Sequence, residues 1–153
     1  MTHLPDEGLL VEDALQPAKY RVYPDTPLPE VVDLMVRREI RAVPVVGEQY
    51  EVLGIITTGD ALDQVLRENL GEEVEGEGRE ESLTARDVMT RSVLCVSESQ
   101  KLTDAARMMV NRGVDLLPVV REGELIGLIT RDAILSALHA ESHPTNHETK
   151  DVS

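Results

Sequence analysis

Apolar residues recur along this chain in helical stripes and short runs, and the second half repeats the pattern of the first. Leu28, Val31, Val32, Met35 and Val36 follow the i, i+3, i+4, i+7, i+8 spacing of one helical face, and so do Leu102, Ala105, Ala106, Met109 and Val110. The spacing predicts a helix at each place. Thr26 is placed to cap the first, with Pro27 at its first position, and Gly113 to end the second. A hairpin is expected after each helix. Residues 42–46 and 52–56 flank a polar turn, while 116–120 and 125–129 flank Glu122-Gly123. Pro44 and Pro118 suit a strand start or an edge, because proline has no N–H for a ladder. Short leads, Val22-Tyr23 and Val93-Leu94-Cys95-Val96, predict a first strand in each half. A closing helix is expected from Asp60 to Leu70 and from Asp132 to Leu138.

The two halves are copies of one unit. A shift of 74 residues lays Asp13 on Asp87, Val22 on Val96, Leu28 on Leu102, Met35 on Met109, Val36 on Val110, Arg38 on Arg112 and Pro44 on Pro118. One residue is lost in the turn. A shift of 73 then lays Gly54 on Gly127, Ile56 on Ile129, Thr57 on Thr130 and Leu62 on Leu135. The fold class expected is α/β: two strand-helix-strand-strand-helix units related by pseudo-twofold symmetry. One unit alone is too small to cover both faces of its sheet, so two are expected to bury them together, with clefts between. The boundaries expected are 11–70 and 84–140, an acidic linker at 71–83 and a polar tail at 141–153.

Charge and composition narrow the function. The formal net charge is -14, so general DNA or RNA binding is disfavoured. The chain holds three Tyr and neither Phe nor Trp, too few for a base-stacking platform. No apolar run reaches the ~20 residues of a membrane span, and the opening residues carry no signal-peptide pattern. The single cysteine, Cys95, cannot form an internal disulfide, and a reducing cytoplasm is expected. Its apolar neighbours make it a small hydrophobe in a strand. His139, His143 and His147 are four apart, but Pro144 interrupts any helix that would align them for a metal, so they read as a solvated tail. Neither a nucleophile elbow nor a P-loop is present, and no enzyme is expected.

The sequence resembles the CBS domain family, named after cystathionine beta-synthase. The carrying fragments are Val43-Pro44-Val45-Val46 followed by Gly54-Ile55-Ile56-Thr57-Thr58-Gly59-Asp60 in the first unit. In the second they are Asp87-Val88-Met89-Thr90, Leu117-Pro118-Val119-Val120 and Gly127-Leu128-Ile129-Thr130-Arg131-Asp132. The resemblance implies a non-catalytic regulatory module that binds AMP, ADP, ATP or S-adenosylmethionine in clefts between the repeats. It implies dimerisation through the helices and a separate regulated protein as partner.

Thr57 stands where a strand becomes a helix, and its hydroxyl with the first free helix amides makes a natural phosphate cradle. Gly59 permits close backbone approach, and Asp60 can accept from ribose hydroxyls. The same Thr-x-x-Asp spacing also suits a helix cap, and the two roles are compatible. The resemblance implies that Thr57, Gly59 and Asp60 share a main cleft with the adenine-slot residues Leu116, Leu117 and Pro118. It implies a second cleft from Ala42, Val43, Pro44, Thr130 and Arg131. Ala133 rather than an aspartate falls opposite Asp60, so the second, weaker cleft is expected to be weak, empty or selective for something else, with Arg131 able to meet a phosphate there. Asp115, aligned with Arg41, disfavours a triphosphate and tilts the expectation to AMP or ADP. A scaffold with vestigial sites and a divalent-cation sensor, suggested by the acidic charge, are the alternatives.

Overall fold

The computed structural model describes residues 8–71 and 83–142. His143, His147 and all of the expected acidic linker except Gly71 lie outside the described residues, apart from Leu83 at its far end.

The first repeat holds α1 (Leu28–Arg38), a hairpin of β1 (Ala42–Val46) and β2 (Val52–Thr57), and α2 (Thr58–Asn69). A four-residue helix, α3 (Ala85–Val88), precedes the second repeat, which holds β3 (Val96–Ser97), α4 (Leu102–Arg112), β4 (Leu116–Arg121), β5 (Glu124–Thr130) and α5 (Arg131–Ser142). β1 and β2 pair antiparallel, and β3 lies parallel to β4 in the order β3-β4-β5. The first lead is shorter than its sequence suggests. Only Val22 pairs, parallel to Val45, donating to the Pro44 carbonyl at 3.0 Å and accepting from the Val46 amide at 3.0 Å. The second lead begins at Val96 rather than Val93. Cys95 therefore lies just before the strand, a half-buried free thiol whose pKa burial pushes up.

Three sequence expectations need correction. Thr26 does not cap α1: Pro27 is the cap residue, and the Thr26 hydroxyl accepts from the Tyr23 amide at 2.9 Å. Pro44 and Pro118 are neither strand starts nor edge residues; each is buried inside a strand flanked on both sides. For Pro44 the missing N–H faces the lead, where pairing is confined to one bridge, so no ladder bond is lost. Val36 and Val110, the last members of each apolar stripe, point to solvent with 69% and 77% exposure. They sit at the stripe's edge, rotated away from the buried Leu28, Val31 and Met35 and from Leu102, Ala105 and Met109. Gly113 does close α4, at φ 66°. Glu122 and Gly123, both at positive φ, form the two-residue turn of the second hairpin. The first hairpin is longer, with a bulge between Val45 and Val46, and this accounts for the change of shift from 74 to 73.

The chain forms two compact units, and neither is continuous in sequence. Among the described residues, the first contains 18–71 and 83–94 with 122–125, and the second contains 8–17, 95–121 and 126–142. The segment that precedes each repeat thus belongs to the unit of the other. In the first unit, Leu28 donates to the Leu83 carbonyl and Ala85 to the Thr26 carbonyl, both at 2.8 Å, while Ile55 and Thr90 exchange backbone bonds of 3.0 and 2.9 Å. In the second, Leu102 donates to Leu9 and Val11 to Gln100, and Gln16 and Leu128 exchange two bonds, all at 2.9 Å. These contacts match one for one under the repeat shift. So do the caps: Asp13 Oδ2 accepts from the Leu10 amide at 2.7 Å, and Asp87 Oδ2 from the Thr84 amide at 2.8 Å. Ala85 and Val11 bury the segments completely in their respective cores.

This docking explains the matched glycines. A Cβ on Gly54 would lie 2.6 Å from Met89 Sδ and 2.8 Å from the Thr90 carbonyl oxygen. One on Gly127 would lie 2.6 Å from the Gln16 carbonyl oxygen and press on Leu15. Backbone atoms fixed by two hydrogen bonds cannot give way. Gly54→Ala and Gly127→Ala are each predicted to destabilise by about 1–3 kcal/mol, the usual cost of overpacking. Urea midpoints test this, and wild-type midpoints for both variants would remove the docking as the reason for glycine.

Candidate functional site

The Thr57–Asp60 turn is built by the end of β2 and the start of α2. The Thr57 hydroxyl accepts from the Asp60 amide at 3.1 Å, and Asp60 Oδ2 accepts from the Thr57 amide at 3.0 Å. The arrangement is a reciprocal cap, which fixes both side chains. It leaves the Thr57 hydroxyl proton and Asp60 Oδ1 unused, on two half-buried residues. The phosphate cradle is smaller than the sequence suggests. The Thr58 amide donates to the Arg41 carbonyl at 2.9 Å and the Asp60 amide is taken by the cap, so Gly59 is the first-turn amide that neither contact uses. Gly59 is exposed, and a Cβ there would meet Thr57 Oγ1 at an ordinary 3.7 Å. Packing within the unit therefore does not require glycine here.

Ala42 pairs with Thr57 across the hairpin, so Ala42, Val43 and Pro44 start next to this turn. All three are buried, and Val43 belongs to the core cluster with Val31, Met35 and Ile56. Leu117 and Pro118 are buried as well, and Leu116 is half-buried. Such residues can offer a ligand backbone groups more readily than side chains.

In the second unit the Thr130 hydroxyl accepts from the Ala133 amide at 3.1 Å, the same bond that Thr57 makes to Asp60. No carboxylate returns the bond, because the third residue is Ala133. Asp132 is exposed. Arg131 is engaged within its own unit. Its amide donates to the Asp115 carbonyl at 3.1 Å, its Nε lies 3.4 Å from Asp115 Oδ1, and its Nη2 donates to the Val114 carbonyl at 3.2 Å. The charge attributed to Asp115 is correspondingly offset by its neighbour. Sequence reasoning noted both residues but missed their pairing; the signal was the strand-to-helix junction itself, which brings the residue before β4 beside the first residue of α5.

No group of three or more His, Cys, Asp or Glu among the described residues is arranged to hold a metal ion. No described helix is long and apolar enough to cross a membrane.

Comparison with known proteins places these turns in a family. The CBS domain model matches residues 11–67 and 85–140. The chain is 28% identical to the uncharacterised protein MJ1426 of Methanocaldococcus jannaschii, over 86% of this chain and 92% of that protein. It is 28% identical to the CBS domain-containing protein CBSX2, chloroplastic, of Arabidopsis thaliana, over 93% of this chain and 68% of that one. It spans only 50% of MK0525 of Methanopyrus kandleri, at 34% identity over 69% of this chain. Among solved structures, CBSX2 in complex with AMP superposes with a TM-score of 0.73 at 28% identity, covering 88% of this chain and 99% of that one. A putative acetoin utilization protein (AcuB) from Vibrio cholerae gives 0.72 at 25% identity, over 92% and 96%. Two matched repeats, equivalent turns at Thr57 and Thr130, and these structural likenesses lead to one conclusion: the chain belongs to the CBS domain family and carries two copies of the domain.

Proposed function

We propose that this protein is a non-catalytic regulatory module that takes an adenosine-type nucleotide, AMP or ADP before ATP, at the Thr57–Asp60 turn. The observation that carries this reading is the spare capacity of the cap. Asp60 Oδ1 accepts the ribose hydroxyls, while the Thr57 hydroxyl and the Gly59 amide face the phosphate, at the positive end of α2. The AMP in the CBSX2 structure supports the ligand class. Assigning Leu116, Leu117 and Pro118 to the adenine rests on the family resemblance. The Thr130 turn, with Ala133 for the carboxylate and Arg131 paired to Asp115, is the weaker site. The acidic chain, at -14, disfavours a triphosphate. S-adenosylmethionine is the competing adenosyl ligand. The lone, unreactive thiol of Cys95 suits a reducing cytoplasm.

We also propose that the protein acts as a homodimer, with a separate protein receiving its signal. Leu62 and Leu66 on α2, with Leu70 just past its end, form an exposed apolar line, Leu62 being 65% accessible. Val36 and Val110, and Leu62 and Leu135, are exposed at repeat-equivalent positions, so each unit offers the same kind of helix face. Such faces suit an isologous contact between copies.

Calorimetric titration with AMP, ADP, ATP and S-adenosylmethionine tests the ligand reading. Wild type is predicted to bind AMP, and Asp60→Ala to lose at least about tenfold in affinity, the scale of a hydrogen bond to a charged group. Gly59→Ala is predicted to keep wild-type stability within about 0.5 kcal/mol while weakening AMP. Silence from all four ligands sinks the nucleotide reading and leaves a scaffold with vestigial sites; stabilisation by magnesium or calcium instead points to the cation sensor. Sedimentation velocity tests assembly. The wild type is predicted to run as a dimer and the Leu62→Glu/Leu66→Glu double variant as a monomer, whereas a monomeric wild type contradicts the proposal.

A further inference from the structure

The first unit carries a groove of about 420 Å³ outside the Thr57–Asp60 turn. It runs between the lead, residues 21–26, and α1, and is lined by Arg21, Tyr23, Glu30, Asp33, Arg37 and Arg38 among others. None of Ala42, Val43, Pro44, Thr57, Gly59 or Asp60 lines it. That size matches ordinary small-molecule pockets.

Its arginines are held in an unusual way. Arg37 is neutralised by Asp33 at 2.9 Å, an ordinary pair one helical turn apart. Arg21 and Arg38 are held by aromatic rings instead of carboxylates. The Arg21 guanidinium carbon lies 4.8 Å from the Tyr50 ring centroid, and its Nη2 donates to the Tyr50 hydroxyl at 2.6 Å. Its Nη1 reaches the Ala18 carbonyl at a long 3.4 Å, and its Nε is buried with no hydrogen-bond partner. Arg38 lies 5.7 Å from the Tyr20 ring, and Lys19 Nζ lies 5.9 Å from the same ring. A cation over a ring keeps its charge and most of its N–H donors. The chain has 29 acidic residues against 15 Lys and Arg, so carboxylate partners were not scarce.

The repeat supplies an internal control. Under the shift of 74, Tyr20, Arg21 and Tyr23 become Leu94, Cys95 and Ser97, and only Arg38 keeps a counterpart, Arg112. Tyr50 falls in the hairpin turn, where the second repeat has Glu122-Gly123. Of the chain's three aromatic residues, Tyr23 therefore lines this groove, while Tyr50 and Tyr20 hold its arginines Arg21 and Arg38. The fold does not need them, because the second unit builds the same elements without any.

We propose that this groove is a second binding site, separate from the Thr57–Asp60 turn, for a small molecule bearing a phosphate or carboxylate group held by Arg21 and Arg38. Planar guanidiniums with unused donors recognise both oxyanions. Glu30, which also lines the groove, disfavours a ligand carrying negative charge along its whole length and favours one with a single anionic end.

The three tyrosines make the test selective. With no Trp in the chain, intrinsic fluorescence reports these tyrosines, one lining the groove and two against its arginines. Inorganic phosphate and acetate, both transparent, are titrated against chloride at matched ionic strength. At least one is predicted to give a saturable change that chloride does not, and which one identifies the phosphate or the carboxylate as the preferred group. Arg38→Gln is predicted to weaken that binding at least fivefold, and Arg21→Gln to do likewise. Should Arg21→Gln fail to fold, the exposed Arg38 decides alone. Asp60→Ala is predicted to leave the titration unchanged, which separates this site from the nucleotide turn. No saturable change with either anion, a change that survives both arginine variants, or one lost in Asp60→Ala overturns the proposal.

Discussion

Two reciprocal backbone exchanges, Ile55 with Thr90 and Gln16 with Leu128, organise this molecule. Each joins the last strand of a hairpin to the segment that precedes the other repeat. The bonds can form only if the backbones approach closely, and Gly54 and Gly127 leave the room. The approach seats Ala85 and Val11 at the bottom of the two cores, with no exposure at all. A repeat cut at its sequence boundaries would lose this contribution and expose the apolar face that the segment covers. The mixed composition of the compact units follows directly from these bonds.

The candidate site is a by-product of the same hairpin. β2 ends where Thr57 caps α2, and the Thr58 amide ties the turn to Arg41, just before β1. A strand-to-helix junction needs a cap in any case, since the first helix amides lack internal partners. In the first repeat the cap residue at the third position is Asp60, which returns a bond and keeps one oxygen to spare. In the second repeat the Thr130 hydroxyl keeps its bond to the Ala133 amide, but no carboxylate returns a bond or holds an oxygen to spare. The two turns thus share the cap hydroxyl and differ in the carboxylate that a ribose would need. The groove beside α1 follows the same logic, with arginines and tyrosines added to one copy of a scaffold that stands without them in the other.

Much of this was legible in the sequence. The repeat shift set out the elements and their order, and the shared glycines marked the hairpins. What the sequence did not show was where those glycines were needed, because their partners, Met89 with Thr90 and Leu15 with Gln16, lie in segments that carry no strong periodicity. The stripe rule placed Val36 and Val110 inward, since it counts positions and not the width of the surface that covers them. Thr26 matched the cap pattern but spent its hydroxyl on Tyr23 instead. The pairing of Arg131 with Asp115 was hidden because the two are close only once β4 and α5 are in place. The residue types at the nucleotide turn were readable, while the division of their donors and acceptors between cap and ligand needed coordinates.

The central claim is that one of two equivalent turns keeps the means to hold a ribose. Backbone amide chemical shifts recorded while AMP is added test it most directly. The account predicts shifts concentrated at Thr57, Thr58, Gly59 and Asp60, saturating before any change at Thr130–Ala133. Shifts that appear first at Thr130–Ala133, or a spectrum that AMP leaves unchanged at both turns, would contradict it.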